Sequence, residues 1–197
     1  MINSDGLNET FRIIKKKLPD LIIHEYMSGT KAEDWIVPEN WKVVKGYIKD
    51  KNNKILTSIE KNILFVAPYS ESVKGWFSKK EISKHLMTRK DRPNDYLLEH
   101  RNAYDYNLKT WGITLPYNLW KNLKDDKYYI EIDVVWKKDT MKVGEVFIKG
   151  KSDKIICYTA HIDELCNDDL SGCVAGIEFF NYLKLQKNLK YSYQLLL

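Results

Sequence analysis

Hydrophobic positions along the chain change their spacing three times. Near the start, Phe11, Ile14 and Leu18 recur at helical intervals, which predicts a helix over 8–17, capped by Asn8 and stopped by Pro19. Leu21–Tyr26 is a short apolar run of strand type, and Ser28-Gly29-Thr30 is a turn signal. From Trp35 to about Trp136 the chain breaks into short β-like runs: Trp41–Ile48, Ile63–Val66, Gly112–Leu115 and Tyr128–Trp136. Ser78–Met87 has helix character, with Ser78 and Glu81 at capping-box spacing. Arg89–Tyr106 is polar and turn-rich, so a long loop is expected. From Val143 the pattern is strand, helix, strand. Gly144–Ile148 and Ile155–Ala160 read as strands, the second as a central strand covered on both faces. Leu170–Lys187 reads as an amphipathic helix with Leu170, Val174, Ile177 and Leu185 on its apolar face, interrupted by Lys184. Tyr191–Leu197 closes a βαβ unit with parallel pairing.

Composition narrows the class. The 197 residues are 44% hydrophobic and 30% charged, as in a globular chain. An aromatic content of 13% suits β-structure, and the six Trp are expected in the core of the middle region rather than as a sugar platform. A net charge of +5 from dispersed Lys reads as a solvated surface, not a nucleic-acid footprint. No apolar stretch approaches the ~20 residues of a membrane span. The N-terminus lacks signal-peptide order, so the cytoplasm is the expected location. The three Cys, Cys157, Cys166 and Cys173, are expected as buried reduced thiols. A Cys₃His metal site with His161 is disfavoured because Cys157 and His161 lie roughly 13 Å apart along one strand.

One segment carries candidate chemistry: His161-Ile162-Asp163, then Asn167-Asp168-Asp169-Leu170-Ser171-Gly172 at the start of the helix. His161 and Asp163 are two apart at a strand end and point the same way. The imidazole can ligate a metal while Asp163 holds its other nitrogen. Asp168, at a helix N-terminus, can offer outer oxygens to cations and could bridge two zinc ions. Open α/β sheets place their ligands at the carboxyl ends of parallel strands, where these groups gather. The blander alternatives are a satisfied surface His and an ordinary helix cap. His24, His85 and His100 show no partner pattern. No GxSxG elbow or phosphate loop is present.

The stretch CYTAHIDELCNDDLSGCVAGIEF resembles the first metal motif of the co-catalytic zinc aminopeptidases, of leucyl-aminopeptidase and glutamate-carboxypeptidase type. More narrowly, the whole chain resembles the aminopeptidase-like proteins associated with polysaccharide biosynthesis. The matching features are Ser28–Val43, Tyr104-Asp105-Tyr106, Trp111-Gly112, GEVFIKGKSDKIICYTAHID, NDDLSG and the terminal YSYQLLL. That branch often carries His-x-Cys-His-Pro where this chain has His161-Ile162-Asp163-Glu164-Leu165, so here the chain sits nearer the general aminopeptidase pattern.

The resemblance implies an α/β fold: a partial zinc-exopeptidase-like sheet with a βαβ unit, residues 1–35 and 138–197, interrupted by an inserted β-rich domain, 36–137. It implies His161 and Asp168 as metal residues, Asp163 as the catalytic support, and two Zn2+ per complete site. The implied substrate is a peptide or an amino-bearing small molecule; the dispersed charge and the lack of a long apolar stretch add the expectation of no nucleic acid or membrane partner through this part. It also implies that the general-base Glu and the remaining ligands lie beyond the last strand. The chain stops inside an apolar run and is therefore expected to be an N-terminal fragment, inactive alone and prone to aggregate through an open sheet edge. The rival expectation is a non-catalytic glycan- or protein-binding module on the same scaffold.

Overall fold

The computed structural model describes residues 3–98, 108–163 and 168–197. In chain order the elements are α1 (Asp5–Lys17), β1 (Ile22–Met27), β2 (Lys31–Ala32), β3 (Trp35–Ile36), β4 (Asn40–Lys49), β5 (Ile55–Ser58), β6 (Val73–Ser78), α2 (Lys79–Ile82), β7 (Leu86–Met87), β8 (Ile113–Thr114), α3 (Tyr117–Lys121), β9 (Lys127–Lys137), β10 (Thr140–Ile148), β11 (Ile155–Thr159), α4 (Leu170–Lys184) and β12 (Ser192–Leu196). The chain divides into two compact units, Met1–Asn40 with Lys137–Leu197, and Trp41–Trp136. None of the described helices is long and apolar enough to cross a membrane.

The first unit is a mixed α/β layer. Its sheet has the order β1-β10-β12-β11. β1 and β12 run antiparallel to β10, and β11 runs parallel to β12, from Ile155 opposite Ser192 to Thr159 opposite Leu196. The strand–helix–strand order therefore closes as the expected parallel βαβ unit. Helix α1 begins three residues before the predicted start. Ser4, not Asn8, is its cap, and its hydroxyl accepts from the Leu7 N–H. Asn8 lies inside the helix, where its side chain accepts from Lys142. The earlier start adds Leu7 to the stripe Phe11, Ile14 and Leu18. This stripe packs with Val146, Cys173, Ile177, Phe180, Leu183 and Leu195 into one core. The acidic first turn and Lys15–Lys17 in the last turn complement the helix dipole.

Two readings of this unit are corrected. Among the described residues β11 pairs only with β12 and stands last in the sheet rather than centrally, and Ile155, Ile156 and Cys157 are exposed on it. An apolar run alone signals burial but does not fix a strand's place in the sheet. In α4 the buried face is Cys173, Gly176, Ile177, Phe180 and Leu183, whereas Leu170, Val174 and Leu185 are exposed. The helix is apolar nearly all round, so its periodicity does not select a face. The side that meets the sheet is the one carrying Gly176. A Cβ there would lie 2.8 Å from the Tyr158 ring and 3.0 Å from Leu195 Cδ1.

The second unit is built on a four-stranded sheet, order β5-β4-β9-β6, in which β5 runs antiparallel to β4 and β6 antiparallel to β9, with the short parallel pair β7-β8. Its core includes Trp41, Ile48, Phe65, Ile82, Trp111, Ile113, Tyr128, Ile130 and Ile132. The run Ile63–Val66 is not a strand. Ile63–Phe65 forms a 3₁₀ turn, because the Asn62 side chain accepts from Leu64 N–H and tightens the chain there. The capping box of Ser78 and Glu81 forms as predicted, but the helix ends after Ile82, and Leu86–Met87 pairs with β8 instead. Of the six Trp, only Trp41 and Trp111 are buried, and Trp76 is 47% exposed. Trp35 belongs to the first unit. His85 stacks on Trp111 and meets its carbonyl at 2.9 Å, a packing role. Within the expected 89–106 loop, Arg89–Leu98 holds no helix or strand. His100 and Tyr104-Asp105-Tyr106 lie outside the described residues.

Candidate metal centre

The site begins where β11 ends. Ala160 N–H still bonds Leu196 O, at 3.1 Å, so the strand is held on the sheet up to His161. Helix α4 then returns over the sheet and is pinned at its first turn by two bonds. The Tyr158 hydroxyl donates to Gly172 O at 2.9 Å, and the Cys173 thiol donates to His161 O at 3.2 Å. These anchors tie the helix start to the strand end and fix the distance between the groups each carries. Cys173 N–H closes the first helical bond on Asp169 O, and Asp169 occupies the cap position without a side-chain cap bond. The peptide between Asp168 and Asp169 is cis.

His161 and both carboxylates come together at this junction. His161 Nδ1 lies 3.1 Å from Asp163 Oδ1, and Nε2 lies 3.4 Å from Asp168 Oδ1. The imidazole is half exposed, Asp163 is 24% exposed and Asp168 is 78% exposed. Burial lowers the imidazole pKa. The Asp163 hydrogen bond and the charges of Asp163, Asp168 and Asp169 outweigh that effect, so the net direction is up. With Nδ1–H donating to Asp163, the Nε2 lone pair faces a carboxylate oxygen. Two electron-rich atoms stay that close only with a proton or another cation between them. Two ligands of a tetrahedral zinc at bond lengths of about 2.0–2.1 Å stand about 3.3 Å apart. The spacing thus fits a proton shared between imidazolium and carboxylate, which the raised imidazole pKa favours, and equally two ligands of one divalent metal. A cavity of about 380 Å³ lies alongside, lined among others by Lys142, Thr159, His161, Asp163, Asp169 and Leu197.

Two donors do not complete a site. Among the described residues no group of three or more His, Cys, Asp or Glu side chains is arranged to hold a metal. The thiols offer no substitute. Cys157 is exposed on β11, correcting its expected burial. Burial and the Asp169 charge push the Cys173 thiol up to about 11, so it stays protonated and bound to a carbonyl rather than becoming a thiolate ligand. Cys166 and Glu164 lie outside the described residues. Sequence reasoning missed the Tyr158–Gly172 and Cys173–His161 anchors. Neither a tyrosine in a strand nor a cysteine one turn into a helix carries a partner signal.

The chain belongs to the family described as Domain of unknown function (DUF4910), which it matches over residues 1–197. It is 34% identical over 201 residues to a Clostridium acetobutylicum protein named for polysaccharide biosynthesis and an aminopeptidase-like domain, covering 99% of this chain and 44% of the relative. A Clostridium acetobutylicum crystal structure described as a peptidase superposes with a TM-score of 0.83 at 30% identity, over 99% of this chain and 45% of that one. The zinc aminopeptidase BSAP of Bacillus subtilis superposes with a TM-score of 0.60 at 12% identity, over 96% of this chain and 54% of that one. At that identity the likeness is one of fold. The chain thus has the aminopeptidase-like fold and spans less than half the length of the curated relative it matches.

Proposed function

We propose that these residues form the first part of a zinc-dependent aminopeptidase-like hydrolase site, with His161 and Asp168 as metal ligands and Asp163 as the residue that orients His161. The observation that carries this reading is the 3.4 Å approach of Nε2 to Oδ1 at the carboxyl end of β11. A bound zinc pair supplies a Lewis acid for the scissile carbonyl and a water acidified toward neutral pH. The chain's own groups prepare that chemistry. Asp163 accepts the Nδ1 proton, which fixes the tautomer and turns Nε2 outward. Asp168, mostly exposed and next to the helix start, turns Oδ1 toward His161 and leaves its carboxylate open to a cation. A peptide, or a small molecule bearing an amino group, is the substrate class that suits such a site. With two ligands in hand, the 197-residue chain binds metal weakly and is expected to show no hydrolase activity by itself.

The test is complementation. The chain is joined to the carboxyl-terminal remainder of the Clostridium acetobutylicum relative, and zinc-dependent release of p-nitroaniline from aminoacyl p-nitroanilides is measured. The expected result is hydrolysis that disappears in His161→Ala and in Asp168→Ala. Undiminished hydrolysis in either variant overturns the assignment.

A further inference from the structure

The sheet of the second unit has one packed face and one open face. Along β4, β9 and β6 the alternation sends Ile48, Tyr128, Ile130 and Ile132 into the core. It sends Lys45, Tyr47, Lys49, Tyr129, Glu131, Lys74 and Trp76 to the other side. Register places Trp76 opposite Tyr129 and Lys74 opposite Glu131. The Trp76 ring meets Tyr129 edge-on at 5.6 Å, and Tyr47 lies near-parallel to Tyr129 at 6.2 Å. Three neighbouring strands thus carry a row of aromatic rings across a solvent-facing surface, ending in an indole that is 47% exposed.

The charges on this face are organised around one carboxylate. Glu131 accepts from Lys45 Nζ at 2.8 Å, Tyr47 hydroxyl at 2.7 Å and Tyr129 hydroxyl at 3.2 Å. Lys74 Nζ stands off at 3.8 Å, with its side chain 70% exposed. Lys49 Nζ lies 4.5 Å from the Tyr129 ring centre. On this part of the face three ammonium groups, those of Lys45, Lys49 and Lys74, stand around one carboxylate, and further along the same side of β9 Lys127 and Asp133 offset each other. The surface therefore combines an excess of positive charge with flat apolar rings. A carboxylate has about four acceptor sites, so Glu131 keeps capacity for one more donor.

We propose that this face binds a carboxylated sugar chain, a hexuronate-containing oligosaccharide. The Trp76 indole would stack on the C–H face of a sugar ring, Lys49 and Lys74 would pair with sugar carboxylates, and Glu131 would accept a hydroxyl. A carboxylated sugar chain uses each of these features. A neutral sugar offers no anionic partner to the Lys49 and Lys74 ammonium groups. A phosphate backbone would meet the Glu131 carboxylate at the centre of the face and finds only a small net charge, where nucleic-acid grooves neutralise several phosphates. The inference lies wholly within the second unit and does not rest on the metal reading.

The test is calorimetric titration of the 197-residue chain with oligogalacturonate and oligomannuronate, at low and at moderate salt. Saturable binding that weakens with salt is expected, with maltotetraose at least about tenfold weaker. Trp76→Ala is expected to weaken uronate binding about tenfold or more, and Trp76→Tyr to retain most of it. The double change of Lys49→Gln and Lys74→Gln is expected to remove the salt dependence. Circular dichroism confirms that each variant is folded. No binding of either uronate at millimolar concentration overturns the proposal. So does binding that Trp76→Ala leaves unchanged, or tighter binding of a thymidine oligonucleotide than of either uronate.

Discussion

His161 Nε2 and Asp168 Oδ1 stand 3.4 Å apart although one closes a strand and the other opens the turn into a helix. The approach depends on the ring being held from its far side, where Nδ1 meets Asp163. Asp163→Asn keeps the size of that partner but removes its charge. The expected outcome is zinc affinity lowered about 10–100-fold with unfolding free energy nearly unchanged, since partners behind a metal-bound histidine act on affinity at that scale. Zinc titration and urea denaturation of the same samples check both halves. Unchanged zinc affinity would mean that Asp163 does not orient the ring.

The two described thiols should differ in reactivity. Cys173 is 2% exposed, donates to His161 O, and has a pKa pushed up to about 11 by burial and then by the Asp169 charge. Cys157 is exposed. Because the thiolate is the nucleophile, iodoacetamide at pH 8 should modify Cys157 in the folded chain and reach Cys173 only when the chain is unfolded. Peptide mass spectrometry reads the order of labelling. Equal rates in the folded chain would contradict the buried anchor.

Helix α4 packs tightly on the sheet at Gly176. Gly176→Ala gains about 1 kcal/mol of helix propensity, but its Cβ meets the Tyr158 ring at 2.8 Å. That ring cannot swing away freely, because its hydroxyl is bonded to Gly172 O. Overpacking of a core costs about 1–3 kcal/mol. With the ring held in place the cost falls toward the upper end of that range, about 2–3 kcal/mol, so the expected net effect is a loss of stability of about 1–2 kcal/mol, measured by urea denaturation. A variant as stable as the parent would show that the helix stands further from β11.

Glu131 gives the second unit an acid-sensitive contact. Hydrogen bonds from Lys45 and Tyr47, with a further one from Tyr129, outweigh burial and hold its carboxyl at about 2 instead of the ordinary 4.5. The unfolded chain takes up this proton more readily than the folded one. The contribution is therefore complete above about 4.5 and is lost as pH falls toward about 2. Glu131→Gln should be less stable by about 1–2 kcal/mol at pH 7, and the gap should close across that acid window. Urea midpoints at several pH values check this. A gap that stays constant down to pH 2 would rule out the ionised carboxylate as the source.

Much of the first unit is legible from local rules. The stripe Phe11, Ile14, Leu18, the strand after Pro19 and the parallel pairing of the last two strands follow from periodicity and connection geometry. The start of α1 is not legible, because Asn8 is a good cap chemically, while Ser4 before Asp5 is the one the helix uses. The buried face of α4 was not legible because Leu170, Val174 and Leu185 are as apolar as Ile177 and Phe180. A glycine's close fit, which hydrophobicity cannot signal, decides the matter. Ile63–Val66 failed for a related reason. Four apolar residues satisfy a strand pattern, but one Asn side chain bonded to Leu64 N–H turns the backbone. At the site, the residue types and their spacing were legible. The thiol and phenol bonds that set the 3.4 Å approach were not, since they join residues with no sequence relationship.

The most direct test of the metal assignment is anomalous X-ray scattering at the zinc edge from crystals of this chain soaked in Zn2+. The account expects one peak within about 2.0–2.2 Å of both His161 Nε2 and Asp168 Oδ1, absent in His161→Ala. Zinc bound elsewhere, or no peak at this junction at saturating Zn2+, would contradict it.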